Sequence, residues 1–142
     1  MRYFIDTNIF LRTLIKENKK TFDECFKLLS EIKIGNLKAS TSHVVLAELV
    51  WTLSSYYGFS KEKVVTAVKS VVNLRGLQFI DGYQAHMSLE LYEKKPVKFI
   101  DALIASIKTI REKTWVVVSY DKDFDKMGIS RKEPGELVTT SN

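Results

Sequence analysis

The sequence predicts an α/β fold with a mainly parallel sheet, and three observations carry that reading. Short apolar runs alternate with longer amphipathic stretches along the whole chain. The clearest run, Trp115-Val116-Val117-Val118-Ser119, is apolar enough to be covered on both faces, as parallel strands are. Two runs end abruptly in acids, at Asp6 and at Asp121, and the carboxyl ends of parallel strands share one edge of a sheet.

Taken in order, Tyr3-Phe4-Ile5 reads as a buried strand that stops at Asp6-Thr7-Asn8. A helix begins at once with Ile9-Phe10-Leu11 and continues to Leu14-Ile15, so Asp6 read alone serves as a helix N-cap. Lys16 to Lys20 is a polar loop. Thr21 to Ile34 places Phe22, Cys25, Phe26, Leu28, Leu29 and Ile32 at helical spacing and stops at Gly35-Asn36. Leu37 to Thr41 is a second strand, and Thr41-Ser42 offers the cap of a helix from His43 to Tyr57. That helix is apolar nearly all round, which predicts a largely buried element. Glu48 lies in its middle with no basic neighbour at helical spacing. It either needs a partner from elsewhere in the chain or shares an exposed stripe with Thr52.

Gly58 ends this helix and Ser60 caps the next, whose buried face is predicted to hold Val64, Val65, Ala67, Val68, Val71, Val72 and Leu74. Leu77 to Ile80 is a third strand, followed by the turn Asp81-Gly82 and a helix from Tyr83 to Lys95. Lys98 to Glu112 is predicted as one helix. Asp101 stands in its first turn among Phe99, Ile100, Ala102, Leu103 and Ile104, where a carboxylate also complements the helix dipole. After the Trp115 strand comes Tyr120-Asp121-Lys122-Asp123-Phe124-Asp125. The remainder, Gly128 to Asn142, has turn-like composition and gives one short edge segment and a frayed tail.

The 142 residues suit one domain, 1–142, with the tail from about 130 the part least specified by its pattern. No apolar run reaches the roughly 20 residues that span a bilayer, so no membrane association is expected. The lone Cys25 leaves no internal disulfide and makes a cytoplasmic location the default expectation. Net charge is +5. If the anomalous acids gather in one place, the rest of the surface is more basic still, which suits a polyanionic substrate.

Those acids are Asp6 and Asp121 at strand ends, and Glu48 and Asp101 within apolar helices. Carboxylates without cations among them repel one another, and a divalent ion resolves the repulsion. With His43 and His86 far apart and no cysteine nearby, the donors are all oxygen, which favours Mg²⁺ or Mn²⁺ over zinc.

Phe4-Ile5-Asp6-Thr7-Asn8, Glu48 in Leu46-Ala47-Glu48-Leu49, Asp101-Ala102-Leu103-Ile104-Ala105 and Ser119-Tyr120-Asp121-Lys122-Asp123-Phe124 together resemble the PIN-domain family. Within it they look most like VapC-type toxin ribonucleases of toxin–antitoxin pairs. The ordered set spans Met1 to about Ile129, and it departs from the family where Glu133-Pro134-Gly135 replaces a clean final strand. The resemblance implies a three-layer α/β/α fold with about five strands and a metal-dependent endoribonuclease leaving a 5′-phosphate and a 3′-hydroxyl. It implies Asp6, Glu48, Asp101 and Asp121 as the catalytic acids, with Asp6, Asp101 and Asp121 holding the metal. Thr7, Asn8, Ser119 and Asp123 are implied as polar neighbours, Asp123 as a possible extra ligand. RNA, a small antitoxin protein and a second copy in a homodimer are the implied partners, with Tyr56, Tyr57 or Tyr83 available to stack on bases. A housekeeping RNA-processing nuclease, or a non-catalytic RNA-binding module on the same fold, competes with the toxin reading. A haloacid-dehalogenase-type phosphotransferase is disfavoured because Asn8 stands where it needs a second Asp, and a dinucleotide site lacks its Gly-rich turn.

Overall fold

The structure is a computed structural model, and it describes residues 1–140. Its sheet has five parallel strands in the order β3-β2-β1-β4-β5. These are β1 (Arg2–Ile5), β2 (Lys38–Thr41), β3 (Leu77–Phe79), β4 (Trp115–Val118) and β5 (Arg131–Lys132). The first crossover carries α1 (Thr7–Leu14) and α2 (Lys19–Lys33), the second α3 (His43–Trp51) and α4 (Lys61–Val72). Both step from β1 toward β3, and α1 packs on both α2 and α3. The third crossover, α5 (Ala85–Lys94), α6 (Phe99–Ser106) and α7 (Lys108–Arg111), returns to the far side of β1. Because parallel crossovers keep one hand, this reversal puts the two sets of helices on opposite faces. The result is the α/β/α sandwich that the family resemblance implied. α8 (Asp123–Lys126) and a 3₁₀ turn (Pro134–Glu136) flank β5.

The core is centred on β1 and β4, where Phe4, Ile5, Val117 and Val118 are fully buried, with Ile9, Phe10, Leu28, Leu49, Ile104 and Phe124 against them. These two strands are also where the crossover direction reverses. Their register pairs Ile5 with Val118, and the Asp6 N–H bonds the Val118 carbonyl (3.1 Å), so Asp6 and Ser119 leave the sheet together. Ligands bind at such a switch point in open α/β sheets.

Five helices differ from the sequence expectation. The His43 helix is not buried all round: Val45, Leu49 and Leu53 face inward, while Val50 and Trp51 are exposed. It also changes pitch. Thr52–Tyr56 is a π-helical turn closed by Tyr57 N–H on the Thr52 carbonyl (3.1 Å). On α4, Val64 and Val71 are buried but Val65 and Val72 are not, since positions one residue on lie about 100° round the helix. The Lys98–Glu112 helix is broken at Ile107, whose backbone is extended (φ −62°, ψ 128°). Ser106 organises the break: its hydroxyl bonds the Leu103 carbonyl (2.6 Å) and receives the Gln84 N–H (2.9 Å), and Arg111 reaches its carbonyl (3.3 Å). The Tyr83 helix starts later than expected, at Ala85. The Lys19–Lys33 helix starts earlier, because Asn18 caps it by accepting from Thr21 N–H (3.0 Å).

At the C-terminal side, Arg131–Lys132 forms the expected edge strand on β4, and residues 141–142 lie outside the described residues. Gly76 before β3 sits at φ +87°, and a Cβ there would meet the Ile32 carbonyl oxygen. Only glycine fits that approach.

Candidate active site

Asp6 is 2 % exposed and caps α1, its Oδ1 accepting the Thr7 N–H (2.8 Å). Oδ2 takes the Ser119 hydroxyl (2.7 Å) and the Asn8 amide (3.3 Å). Asn8 ties the two strand ends together: its amide also donates to Ser119 Oγ (2.9 Å), and its carbonyl oxygen accepts the Tyr120 N–H (3.2 Å). Ser119 in turn receives the Asp121 N–H (2.9 Å), and Asp121 Oδ1 receives the Asp123 N–H (2.9 Å). One continuous chain of hydrogen bonds thus runs from α1 through the end of β4 to the start of α8. The loop after β4 is held in place by side chains rather than by a strand ladder.

Asp101 arrives from the other face, on the first turn of α6. It is 1 % exposed, and its Oδ2 has no hydrogen-bond partner. Lys98 Nζ stands 3.9 Å from that oxygen and 2.8 Å from Asp121 Oδ2. Each of Asp101, Asp121 and Asp123 offers one carboxylate oxygen within 4.8 Å of the others.

The electrostatics follow from the crowding. Burial pushes the Asp101 carboxyl up to about 9, helped by the charge of Asp6 and by Asp121, and only partly offset by Lys98. Burial raises Asp6 to about 6 against the Ser119 and Thr7 hydrogen bonds, and Glu48 adds to the rise. Asp121 goes the other way. Burial would raise it, but Lys98 and the Asp123 N–H hold it below the ordinary carboxylate range. Lys98 is correspondingly raised: burial opposes its charge, and Asp121 and Asp101 more than compensate.

Of the sequence-predicted residues, Asp101, Asp121 and Asp123 converge most tightly. Asp6 lies beside them, with both oxygens engaged by Thr7, Ser119 and Asn8. Glu48 is half-buried on α3, and its charge bears on both Asp6 and Lys98, so it faces the same region without joining the group of three. The Thr7 side chain is buried and its hydroxyl makes no hydrogen bond. Sequence reasoning missed Lys98. A lysine one helical turn before an acid looks like any solvated lysine, and only the fold brings Asp121 to it.

The donor set is all oxygen, it carries surplus negative charge, and it contains a buried carboxylate oxygen without a partner. That chemistry fits a hard divalent cation.

A groove of about 360 Å³ opens beside the site, lined by Asn8, Leu11, Arg12, Ile15, Glu17, Thr52, Tyr56 and Tyr57. The π-helical turn projects Tyr56 outward, 76 % exposed, with Tyr57 edge-on to it (4.9 Å between ring centroids). Arg12 stacks over Tyr120 (5.8 Å). The groove therefore runs from Asn8 at the acidic site to an aromatic surface that carries Arg12 and Glu17.

Comparison with known proteins agrees with this geometry. The family model for the PIN domain matches residues 3–129. A VapC ribonuclease from Aquifex aeolicus is 27% identical over 134 residues, covering 93% of this chain and 96% of that protein. Among solved structures, VapBC2 from Rickettsia felis, bound to a promoter DNA fragment, superposes with a TM-score of 0.69 at 23% identity, covering 94% of this chain and 98% of that one. VapC20 from Mycobacterium tuberculosis, a toxin that cleaves the sarcin-ricin loop, gives 0.62 at 18% identity, over 93% and 99% of the two chains. With the family match covering both acid-bearing strand ends and the helices between them, the chain belongs to the PIN domain family.

Proposed function

We propose that this protein is a metal-dependent endoribonuclease and the toxin of a toxin–antitoxin pair. The observation that carries the reading is the buried, unpartnered Asp101 Oδ2 beside Asp121 and Asp123 at the β1/β4 switch point. Similarity to a VapC ribonuclease and to VapBC assemblies supports the choice of RNA and of an antitoxin partner.

Asp101 and Asp121 are the proposed ligands, with Asp6 beside them and Asp123 able to contribute an oxygen. A bound Mg²⁺ or Mn²⁺ supplies a water of lowered pKa and polarises the scissile phosphate. The protein's own work is positioning. Ser119 and Asn8 fix the Asp6 carboxylate, and Ser119 also holds the Asp121 backbone. Glu48 orients water at the open side of the site. The basic surface, net +5 overall, draws RNA in, and exposed Tyr56 gives a splayed base a face to stack on. The antitoxin is proposed as a small protein with a segment that folds on binding. A homodimer is proposed through the apolar residues that α3 leaves open, Val50 and Trp51. Among the described residues no helix is long and apolar enough to cross a membrane.

The test is incubation of purified protein with total RNA in Mg²⁺, in Mn²⁺ and in chelator, followed by mapping of the ends. Metal-dependent internal cuts with 5′-phosphate and 3′-hydroxyl ends are expected. Absence of cuts, or equal cutting in chelator, contradicts the reading. Co-expression with the product of an adjacent small reading frame tests the toxin role separately, with a stable complex as the expected result. Light scattering tests the dimer, and a monomer at all working concentrations rejects it.

A further inference from the structure

Lys98 occupies a position that local chemistry does not favour. It is the N-cap of α6, yet its side chain makes no capping bond, and a cation at a helix N-terminus opposes the helix dipole. What holds it there is the acidic group. Its backbone N–H bonds Asp123 Oδ2 (3.2 Å), and its ammonium reaches Asp121 Oδ2 (2.8 Å), 3.9 Å from the orphaned Asp101 Oδ2.

The other Asp121 oxygen already accepts the Asp123 N–H (2.9 Å), so Lys98 sits on the Asp121 oxygen that carries no other hydrogen bond. A small divalent ion binds carboxylate oxygen at about 2.1 Å and suffers full repulsion from an ammonium sharing the same oxygen. Each cation therefore weakens the other's hold on that oxygen.

We propose that Lys98 is a built-in competitor for the site's metal: its ammonium balances Asp101 and Asp121, and divalent ion binding requires that it withdraw. The lysine thereby sets the divalent concentration at which the site fills. Its exposed side chain (60 % exposed) has a way out, because Tyr92, Lys95, Pro96 and Phe99 line an open depression next to it. This inference rests on the metal site proposed above.

Calorimetric titration of Mn²⁺ into wild type, Lys98→Met, Lys98→Gln and Lys98→Arg tests it, alongside thermal melts in chelator and in Mn²⁺. The neutral variants should bind Mn²⁺ about tenfold tighter, a change of about 1.4 kcal/mol. They should melt lower in chelator and gain more from Mn²⁺ than wild type does. Lys98→Arg, which keeps the charge, should stay within about twofold of wild type. Equal or weaker Mn²⁺ binding by both neutral variants overturns the proposal while leaving the metal site intact. No Mn²⁺ binding by any of the four proteins removes the metal site and the proposal with it. Failure of both neutral variants to fold even in saturating Mn²⁺ also counts against it, since the ion should replace the lost charge.

Discussion

Two polar groups stand on the carboxyl edge of the same sheet and treat negative charge in opposite ways. Beyond β2 and β3, Asp81 receives the Tyr83 hydroxyl (2.6 Å), the His43 ring (2.7 Å), the His43 N–H (3.3 Å) and the Ser42 hydroxyl (3.1 Å). Burial works against its charge, but these four donors outweigh burial and hold it at about 2. It accepts the His43 N–H at the start of α3, where Ser42, in the N-cap position, makes no capping bond of its own. Beyond β1 and β4, each acid has fewer donors than Asp81, one buried oxygen has none, and Asp101 is pushed up to about 9. A saturated acid fastens structure, whereas an undersupplied cluster stores repulsion that a proton or a cation relieves.

The sharpest break between the two is catalytic. Asp101→Asn and Asp121→Asn should each lower RNA cleavage by about 10³-fold or more, whereas Asp81→Asn should leave the specific activity of the folded protein within a few-fold of wild type. Comparable losses in all three would erase the distinction. Next in size is Ser119→Ala, which removes the hydroxyl shared by Asp6, Asn8 and the Asp121 backbone. A loss of about 10- to 100-fold in activity or Mn²⁺ affinity is expected, as for residues that orient metal ligands. Wild-type kinetics from Ser119→Ala would mean that this network does not position the acids.

The pH dependence of stability separates the groups by sign. Asp81 is charged in the fold from about pH 2 upward, so its contribution is full above about pH 4 and is lost as pH falls from there toward 2. Asp101 and Asp6 keep their protons in the fold to about 9 and 6, so they lower stability as pH rises from 4 through those values. Urea melts in chelator should therefore show Asp81→Asn losing about 1 kcal/mol at pH 7 and little at pH 2. Asp101→Asn should show a gain that grows between pH 4 and 9. The same sign of change in both variants at pH 7 would contradict the comparison.

Much of this arrangement was legible in the sequence, and the omissions have physical reasons. Short apolar strands and the Gly-Asn stop after α2 are local signals, so strand and helix order followed directly from them. Asp6 and Asp121 stood out as acids at strand ends, and Glu48 and Asp101 as acids within apolar helices. The break at Ile107 escaped because the Gln84 N–H that holds Ser106 comes from outside the stretch. The exposed side of α3 escaped because apolar composition does not reveal which side a neighbour covers. Lys98 and the capping role of Asp81 depend on contacts across 23 and 38 residues, which no local pattern encodes.

The central claim is that the β1/β4 acids form a repelling cluster whose charge is answered by a divalent ion. Thermal melts of wild type and Asp101→Asn at pH 7, in chelator and in Mg²⁺, test it most directly. Mg²⁺ should raise the wild-type melting point through binding to the native state. Asp101→Asn should melt at or above wild type in chelator and lose most of the Mg²⁺ gain. A variant that melts lower in chelator, and whose melting point still rises with Mg²⁺ as the wild type's does, would show that Asp101 is a structural helix-start carboxylate and not part of a metal site.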